Sequence, residues 1–122
     1  MRAERGQASV ELALLLPVVA VLLLLVVQVA VLARDRVLLV HATRAAARAV
    51  IVDPDESTAL EAVRQLGPPA SRAHVELRGD RTRGGVLTVT LTARPTAVPI
   101  VGRLVAPRAL SERLVVVVEG RG

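Results

Sequence analysis

A glycine and a carboxylate near the amino terminus are placed where they could take part in chemistry at a membrane. Glu11 lies directly before an apolar run that begins at Leu12, and Gly6 lies five residues before Glu11. The helix dipole stabilises an acidic residue in a first turn by about 0.3–1 kcal/mol, and Gln7 or Ser9 could cap that turn. These local effects explain a polar residue at position 11, but they do not require a glycine at position 6.

No other group of residues has the pattern of a catalytic or metal-binding site. The sequence contains no cysteine, which excludes disulfide bonds, thiolate nucleophiles and thiolate ligands. His41 is isolated among basic residues, and no Ser-His-acid arrangement or phosphate-binding glycine loop has supporting context. The acidic segment DPDE at 53–56 lacks the ligand spacing of a calcium loop. We therefore expect a protein that is not an enzyme and that holds no metal and no cofactor.

The composition divides the chain into an apolar amino-terminal part and an arginine-rich remainder. The 122 residues carry a net charge of +5, and 52% of them are hydrophobic. Aromatic residues are absent, which removes the rings on which single-stranded nucleic acids stack. The charge therefore favours anionic lipid or an acidic protein surface as a partner, and we expect no nucleic acid.

The run from Leu12 to Ala33 predicts a helix that spans a lipid bilayer. Gln28 is the only polar residue in this run. About 22 residues with a rise of ~1.5 Å each give a length of roughly 33 Å, close to the ~30 Å hydrocarbon core. A cleaved secretory signal that ends at Ala33 is the alternative, but the apolar part of such signals has only about 7–15 residues.

The charges on either side of this run indicate its orientation. Arg2 and Arg5 favour a cytoplasmic amino terminus, whereas Arg34 and Arg36 lie at the opposite end. The short segment before the run and the bulk of the chain after it favour an extracytoplasmic carboxyl-terminal part. We therefore predict a single-pass protein of the cytoplasmic membrane.

Pro17 lies inside the run and leaves the carbonyl of Ala13 without its helical hydrogen bond. One interpretation is a kink that sets how this helix packs beside others during assembly. The other is that the proline is tolerated, as it often is in membrane helices. The position of Pro17 in the sequence leaves both interpretations open.

The amino-terminal half of the sequence resembles the TadE/TadG-like pilus-assembly family. The resemblance covers residues 6 to about 52 and extends to the remainder only in outline. It rests on the segments GQASVELALLLPVV and HATRAAARAV, in which the residues that carry it are Gly6, Ser9, Val10, Glu11, Ala13, Pro17, Arg44 and Arg48.

The resemblance implies that the chain is processed like a type IV prepilin. A prepilin peptidase would cut between Gly6 and Gln7, where a glycine presents no side chain and unwinds readily. Glu11 would become the fifth residue of the mature chain and would pair with the new amino group of a neighbouring subunit. Major pilins often carry a methylated aromatic residue where this chain has Gln7, so the resemblance does not extend to methylation.

The helical pattern continues beyond the apolar run. The sequence predicts one rod from about Ser9 to Val52, because no glycine or proline follows Pro17 in this stretch. Arg44 and Arg48 fall on one face of the rod, and alanines on the other faces allow close approach by a helix or sheet. The two arginines either contact lipid or a neighbouring subunit, or they form a solvated face.

The residues after the rod predict a small α+β head. Asp53 is expected to cap a second, short helix, with Pro54 at its first position. The segments HVELR, VLTVTLTA and ERLVVVVEG predict three strands, and the turn GDRTRGG joins the first two. Four consecutive valines suggest that the third strand is buried on both faces. We expect an antiparallel sheet laid against the outer half of the rod.

The segment RPTAVPIVGRLVAP predicts a loop between the second and third strands. It carries the aliphatic residues Ile100, Val101, Leu104 and Val105. An apolar loop of this kind must either pack under the head or contact another subunit.

These observations predict an α+β, pilin-like chain with a leader at 1–6, a transmembrane and extended helix at 7–52 and an extracytoplasmic head at 53–122. The favoured function is a structural subunit, a minor pseudopilin of a Tad-type pilus or secretion apparatus. The resemblance implies a hetero-oligomer with a prepilin peptidase, a major pilin, other minor pseudopilins and an inner-membrane assembly platform. The alternatives are an uncleaved, membrane-anchored binding module of the cell envelope and a secreted domain released after Ala33.

Overall fold

A computed structural model describes residues 2–120; Met1, Arg121 and Gly122, at the ends of the predicted leader and head, lie outside the described residues. Three strands form one antiparallel sheet in the order β1-β2-β3. This architecture confirms the predicted α+β fold with a long amino-terminal helix. The elements in chain order are α1 (Arg2–Val52), α2 (Glu56–Arg64), a 3-10 turn (Ala70–Arg72), β1 (His74–Gly79), β2 (Val86–Ala93), α3 (Gly102–Val105) and β3 (Leu110–Val117).

Helix α1 is continuous over 51 residues and begins before the predicted start at Ser9. The hydroxyl of Ser9 donates a hydrogen bond to the carbonyl oxygen of Arg5 at 3.0 Å, so Ser9 lies within the helix and does not cap it. Residues 2–23 are all exposed, whereas the core-facing residues between Leu39 and Val50 are buried. We call the exposed amino-terminal part of α1 its bare half, and the carboxyl-terminal part that packs against the head its outer half.

The hydrophobic core lies between the outer half of α1 and one face of the sheet. Alanines on α1 allow the strands to approach the helix closely, as predicted. Because residues on both sides of position 52 share this one core, the head and the outer half of α1 pack as a unit; the domain division stays a prediction. The main core residues are Leu39, Ala42, Ala46, Ala47 and Val50 of α1, Ala59 and Val63 of α2, and Val75, Leu77, Leu87, Val89 and Leu91 of the sheet.

The prediction that β3 is buried on both faces is wrong. Leu114 and Val116 are half-buried against the core, whereas Val115 and Val117 are exposed. Strand β3 is at the edge of the sheet, and within residues 2–120 a helical layer covers only the other face. A run of valines shows that a segment favours a strand, but it does not show how many layers pack on that strand.

The predicted cap of α2 is also wrong. The helix begins at Glu56 with Asp55 at the N-cap, and Pro54 precedes the cap. The backbone N–H of Asp53 donates to the carbonyl oxygen of Ala49 at 3.1 Å, so Asp53 completes the last turn of α1 directly after its final residue, Val52. The hydroxyl of Ser57 hydrogen-bonds to the carboxylate of Asp55 and lowers the pKa of Asp55.

The turn between β1 and β2 forms where the sequence predicts it. The backbone N–H of Thr82 donates to the carboxylate of Asp80 at 2.9 Å, which lowers the pKa of Asp80. Gly79 has a φ of 126°, and a Cβ at this position would lie 2.3 Å from the carbonyl oxygen of Val86. The glycine is therefore required at the end of β1.

Candidate functional site

The bare half of α1 carries the four residues predicted to take part in processing and assembly. Gly6, Gln7, Glu11 and Pro17 are all helical and exposed, and α1 continues through Pro17. Only 6% of the most apolar 18-residue stretch of α1 is buried, so this stretch, unlike the outer half of the helix, is not part of the hydrophobic core. It is long and apolar enough to cross a membrane. A signal sequence near the amino terminus can have the same length and composition. Its apolar surface needs lipid or other helices around it.

The peptide bond between Gly6 and Gln7 lies near the beginning of α1. A Cβ on Gly6 would meet no heavy atom within 4 Å, so packing within the described chain does not require a glycine here. A protease must draw extended backbone into its site, and a glycine makes a helix easier to unwind by about 0.5–1 kcal/mol relative to alanine. Gly6 is therefore better explained by local unwinding than by the packing of the fold.

Glu11 lies on α1 about 7.5 Å along the axis from Gly6, at a rise of ~1.5 Å per residue. Two ion pairs occur among residues 2–120, Glu76 with Arg78 and Asp55 with Arg81, and neither includes Glu11. Its carboxylate is exposed and available to a cation of another molecule.

Two polar side chains of α1 hold the loop between β2 and β3. Gln28 is only 3% exposed and Asp35 only 2% exposed. The Gln28 amide donates to the carbonyl oxygen of Thr96 at 3.2 Å and accepts from the backbone N–H of Val98 at 2.7 Å. The Asp35 carboxylate accepts from the backbone N–H of Thr96 at 2.6 Å. We call Gln28, Asp35 and loop residues 96–98 the polar clasp.

The polar clasp accounts for a glutamine within an apolar run. Buried backbone N–H and C=O groups need partners, and an aliphatic helix surface provides none. The amide of Gln28 has both N–H donors and a carbonyl acceptor, so it satisfies both kinds of group. Gln28 precedes Ala33, the end of the predicted span, by about 7.5 Å of helix. The clasp therefore holds the loop beside α1 at the level of the predicted membrane segment.

Sequence reasoning noted Gln28 as the one polar residue in the run but missed its role, and it missed Asp35 altogether. A signal was present, because Gln28 and Asp35 are seven residues apart and therefore on the same side of a helix. That spacing indicates a polar contact with another element. It does not identify the loop, which lies more than 60 residues further along the chain.

Arg44 and Arg48 lie on the exposed side of the outer half of α1. Together with His41 they border a groove of about 440 Å³ between α1 and β3. The floor of the groove is apolar and consists of Ala47, Ile51, Leu114 and Val116. A basic rim over an apolar floor suits lipid or an acidic, partly apolar protein segment, and the contact itself stays a prediction.

The structure does not bring the amino-terminal residues near the arginines. Glu11 and Arg44 lie on one helix, about 50 Å apart along its axis. Among the described residues, no group of three or more His, Asp or Glu side chains is placed to hold a metal ion. The groups available for chemistry between molecules are thus a carboxylate at one end of the rod and a basic groove at the other.

Together these features define a class of protein, an α+β head carried on one long helix whose amino-terminal half is apolar and exposed. The family model described as TadE-like protein matches residues 6–48 of this chain. The match confirms the resemblance to the TadE/TadG-like pilus-assembly family over the segment that contains Gly6, Glu11, Pro17, Arg44 and Arg48. No curated protein and no solved structure matches the chain.

Proposed function

We propose that this protein is a structural subunit, a minor pseudopilin, of a Tad-type pilus and that α1 anchors it in the cytoplasmic membrane. The observation that carries the proposal is the TadE-like match over residues 6–48, which falls entirely within α1. The exposure of residues 2–23 supports it. A bare apolar helix must be covered by lipid before assembly, and helices of other subunits can cover it afterwards.

In this proposal a prepilin peptidase removes residues 1–6 and leaves a positively charged amino group on Gln7. The carboxylate of Glu11 then pairs with the Gln7 amino group of a neighbouring subunit. At an apolar boundary, removing one partner of such a pair costs about 3–5 kcal/mol, because the other charge is left without compensation. The pair therefore sets the axial position at which a subunit helix enters the bundle.

The remaining parts of the chain have roles outside the bundle. The amino terminus is cytoplasmic, and the head at 53–122 is extracytoplasmic, where it contacts other pilus components. We propose a major pilin, other minor pseudopilins and an inner-membrane assembly platform as these components. The groove between α1 and β3, which Arg44 and Arg48 border, lies at the junction of helix and head, where a neighbouring subunit would meet both.

Replacing Glu11 by glutamine is expected to reduce assembly without preventing membrane insertion or cleavage. The substitution keeps the shape of an exposed side chain and removes its charge. We expect at least a tenfold decrease in the amount of tagged chain that is crosslinked to pilus components in intact cells, which corresponds to about 1.4 kcal/mol.

The matched control for this experiment is Glu4→Gln. Glu4 is also an exposed carboxylate on the first turns of α1, but it lies in the leader that cleavage would remove. This variant should be crosslinked like the wild type. Equal recovery of the Glu11→Gln variant and the wild type would contradict the proposed charge pair.

A further inference from the structure

The loop between β2 and β3 presents an apolar surface away from the core. Leu104 is 86% exposed and Ile100 is 74% exposed, and Val105 beside them is also exposed. We call Ile100, Leu104 and Val105 the loop patch. Aliphatic side chains grouped on an ordered surface loop indicate a contact with something apolar.

The backbone of the loop forms a closely packed turn at this patch. Ile100 has a φ of 71°, a conformation that a β-branched residue adopts only when its surroundings impose it. The N–H groups of Val101 and Gly102 donate to the carbonyl oxygens of Pro99 and Val98, both at 2.8 Å. A Cβ on Gly102 would lie 2.7 Å from Ala97, so the turn is closely packed. The exposure of the patch is therefore a property of an ordered loop.

The polar clasp places the loop patch towards the membrane. Thr96 is hydrogen-bonded to both Asp35 and Gln28, whereas Val98 is hydrogen-bonded to Gln28 but not to Asp35. The loop therefore runs along α1 towards its amino end. Leu24 and Leu25 are half-buried, although every residue from 2 to 23 is exposed. The loop therefore lies beside a part of α1 that belongs to the predicted span.

Arginines lie where the loop joins the sheet. Arg94 follows β2 and Arg108 precedes β3, and both border one depression of about 630 Å³ together with Arg72. Basic side chains thus lie between the sheet and the loop patch, and one further exposed arginine, Arg103 of α3, lies next to Leu104, where its long side chain reaches back towards the headgroups. This order matches the order of phosphate headgroups and hydrocarbon in a membrane leaflet.

We propose that the loop patch inserts into the outer leaflet of the membrane and forms a second lipid contact beside α1. The occupant is lipid because the patch continues an apolar helix surface that itself requires lipid, and because Arg72, Arg94 and Arg108 lie on the sheet side of the patch, where they would meet phosphate headgroups. The two contacts together fix the tilt of the head against the membrane. The inference rests on the membrane anchoring in the proposed function, and it does not depend on assembly into a pilus.

Fluorescence quenching at single cysteines tests this proposal on the full chain. The sequence contains no cysteine and no aromatic residue, so one introduced cysteine can carry a polarity-sensitive fluorophore without background. Leu104→Cys probes the loop patch, Val19→Cys probes the span of α1, and Arg81→Cys probes the turn between β1 and β2. All three positions are exposed, so the substitutions are expected to leave the fold intact.

In vesicles of phosphatidylcholine and phosphatidylglycerol, we expect lipids with nitroxide-labelled acyl chains to quench the labels at positions 104 and 19. Aqueous iodide should quench the label at position 81 at least threefold more strongly than the label at position 104. Iodide quenching at position 104 as strong as at position 81, with position 19 protected, would overturn the proposal and leave the anchoring intact. Strong iodide quenching at position 19 would contradict the anchoring and the proposal together.

Discussion

Replacing Gln28 by leucine is expected to release the loop between β2 and β3 from α1. Leucine suits the apolar surroundings of α1, but it removes the hydrogen bonds to the carbonyl oxygen of Thr96 and the N–H of Val98. Each buried backbone group left without a partner costs about 1–3 kcal/mol. Thr96 keeps one bond to the clasp, from its N–H to Asp35, so the loss should be largest at Val98.

Hydrogen exchange of the full chain in detergent micelles measures this effect. With 1.4 kcal/mol for each factor of ten, we expect exchange at the Val98 amide to accelerate by about tenfold to a hundredfold. Gln65→Leu is the matched control, because Gln65 is exposed at the end of α2 and takes no part in the clasp. Unchanged exchange at Val98 in the Gln28→Leu variant would show that Gln28 does not hold the loop.

Replacing Leu91 by alanine is expected to destabilise the head by about 2–5 kcal/mol, because Leu91 is fully buried between the sheet and the outer half of α1. The chain has no aromatic residue to report unfolding by fluorescence. Proteolysis by a brief protease pulse at increasing urea concentrations, with the full chain in micelles, is therefore the appropriate measurement. The urea midpoint should decrease clearly.

Val115→Ala is the matched control for the other face of the sheet. Val115 is exposed on β3, so its truncation should cost less than about 1 kcal/mol, mostly through lower strand propensity. Equal losses at positions 91 and 115 would mean that another layer covers the outer face of the sheet. Such a result would favour the two-sided burial that the valine run suggests.

The parts of the fold that depend on local periodicity could be predicted from the sequence. Alternation of aliphatic residues and threonines in β2 gives its buried face correctly, because side chains of a strand alternate between the two sides of a sheet. The absence of glycine and proline between Pro17 and Val52 gives the continuity of α1. In both cases the information lies within a few neighbouring residues.

The parts that depend on distant contacts could not be predicted in the same way. The polar clasp joins residues 61 to 70 positions apart, and the side chains of α1 do not reveal which segment they hold. The exposure of Val115 depends on the number of layers in the head. The sequence does not locate the cap of α2, because Asp53 and Asp55 suit the position equally by residue type. The backbone hydrogen bond from Asp53 to Ala49 decides between them.

In the candidate site, too, some features follow from the local sequence and others depend on contacts that the sequence does not show. The exposure of Gly6, Glu11 and Pro17 follows from their position before or within an apolar run long enough to span a membrane, and the shared face of Arg44 and Arg48 follows from their spacing. Cleavage after Gly6 and the pairing of Glu11 depend on other molecules, and they stay predictions. The structure adds one physical argument, because no contact within the described chain accounts for the glycine at position 6.

We propose that residues 1–6 are removed so that a trimmed helix can enter a bundle. Intact-mass measurement of chain extracted from native membranes tests this removal. We expect the wild type to begin at Gln7, and Gly6→Leu to retain the leader, because a side chain then obstructs the bond to be cut. Ala3→Leu, the same replacement at an exposed leader position, should be cleaved normally. A wild-type mass that begins at Met1 would contradict the account and favour an uncleaved binding module, and one that begins at Arg34 would favour a secreted domain.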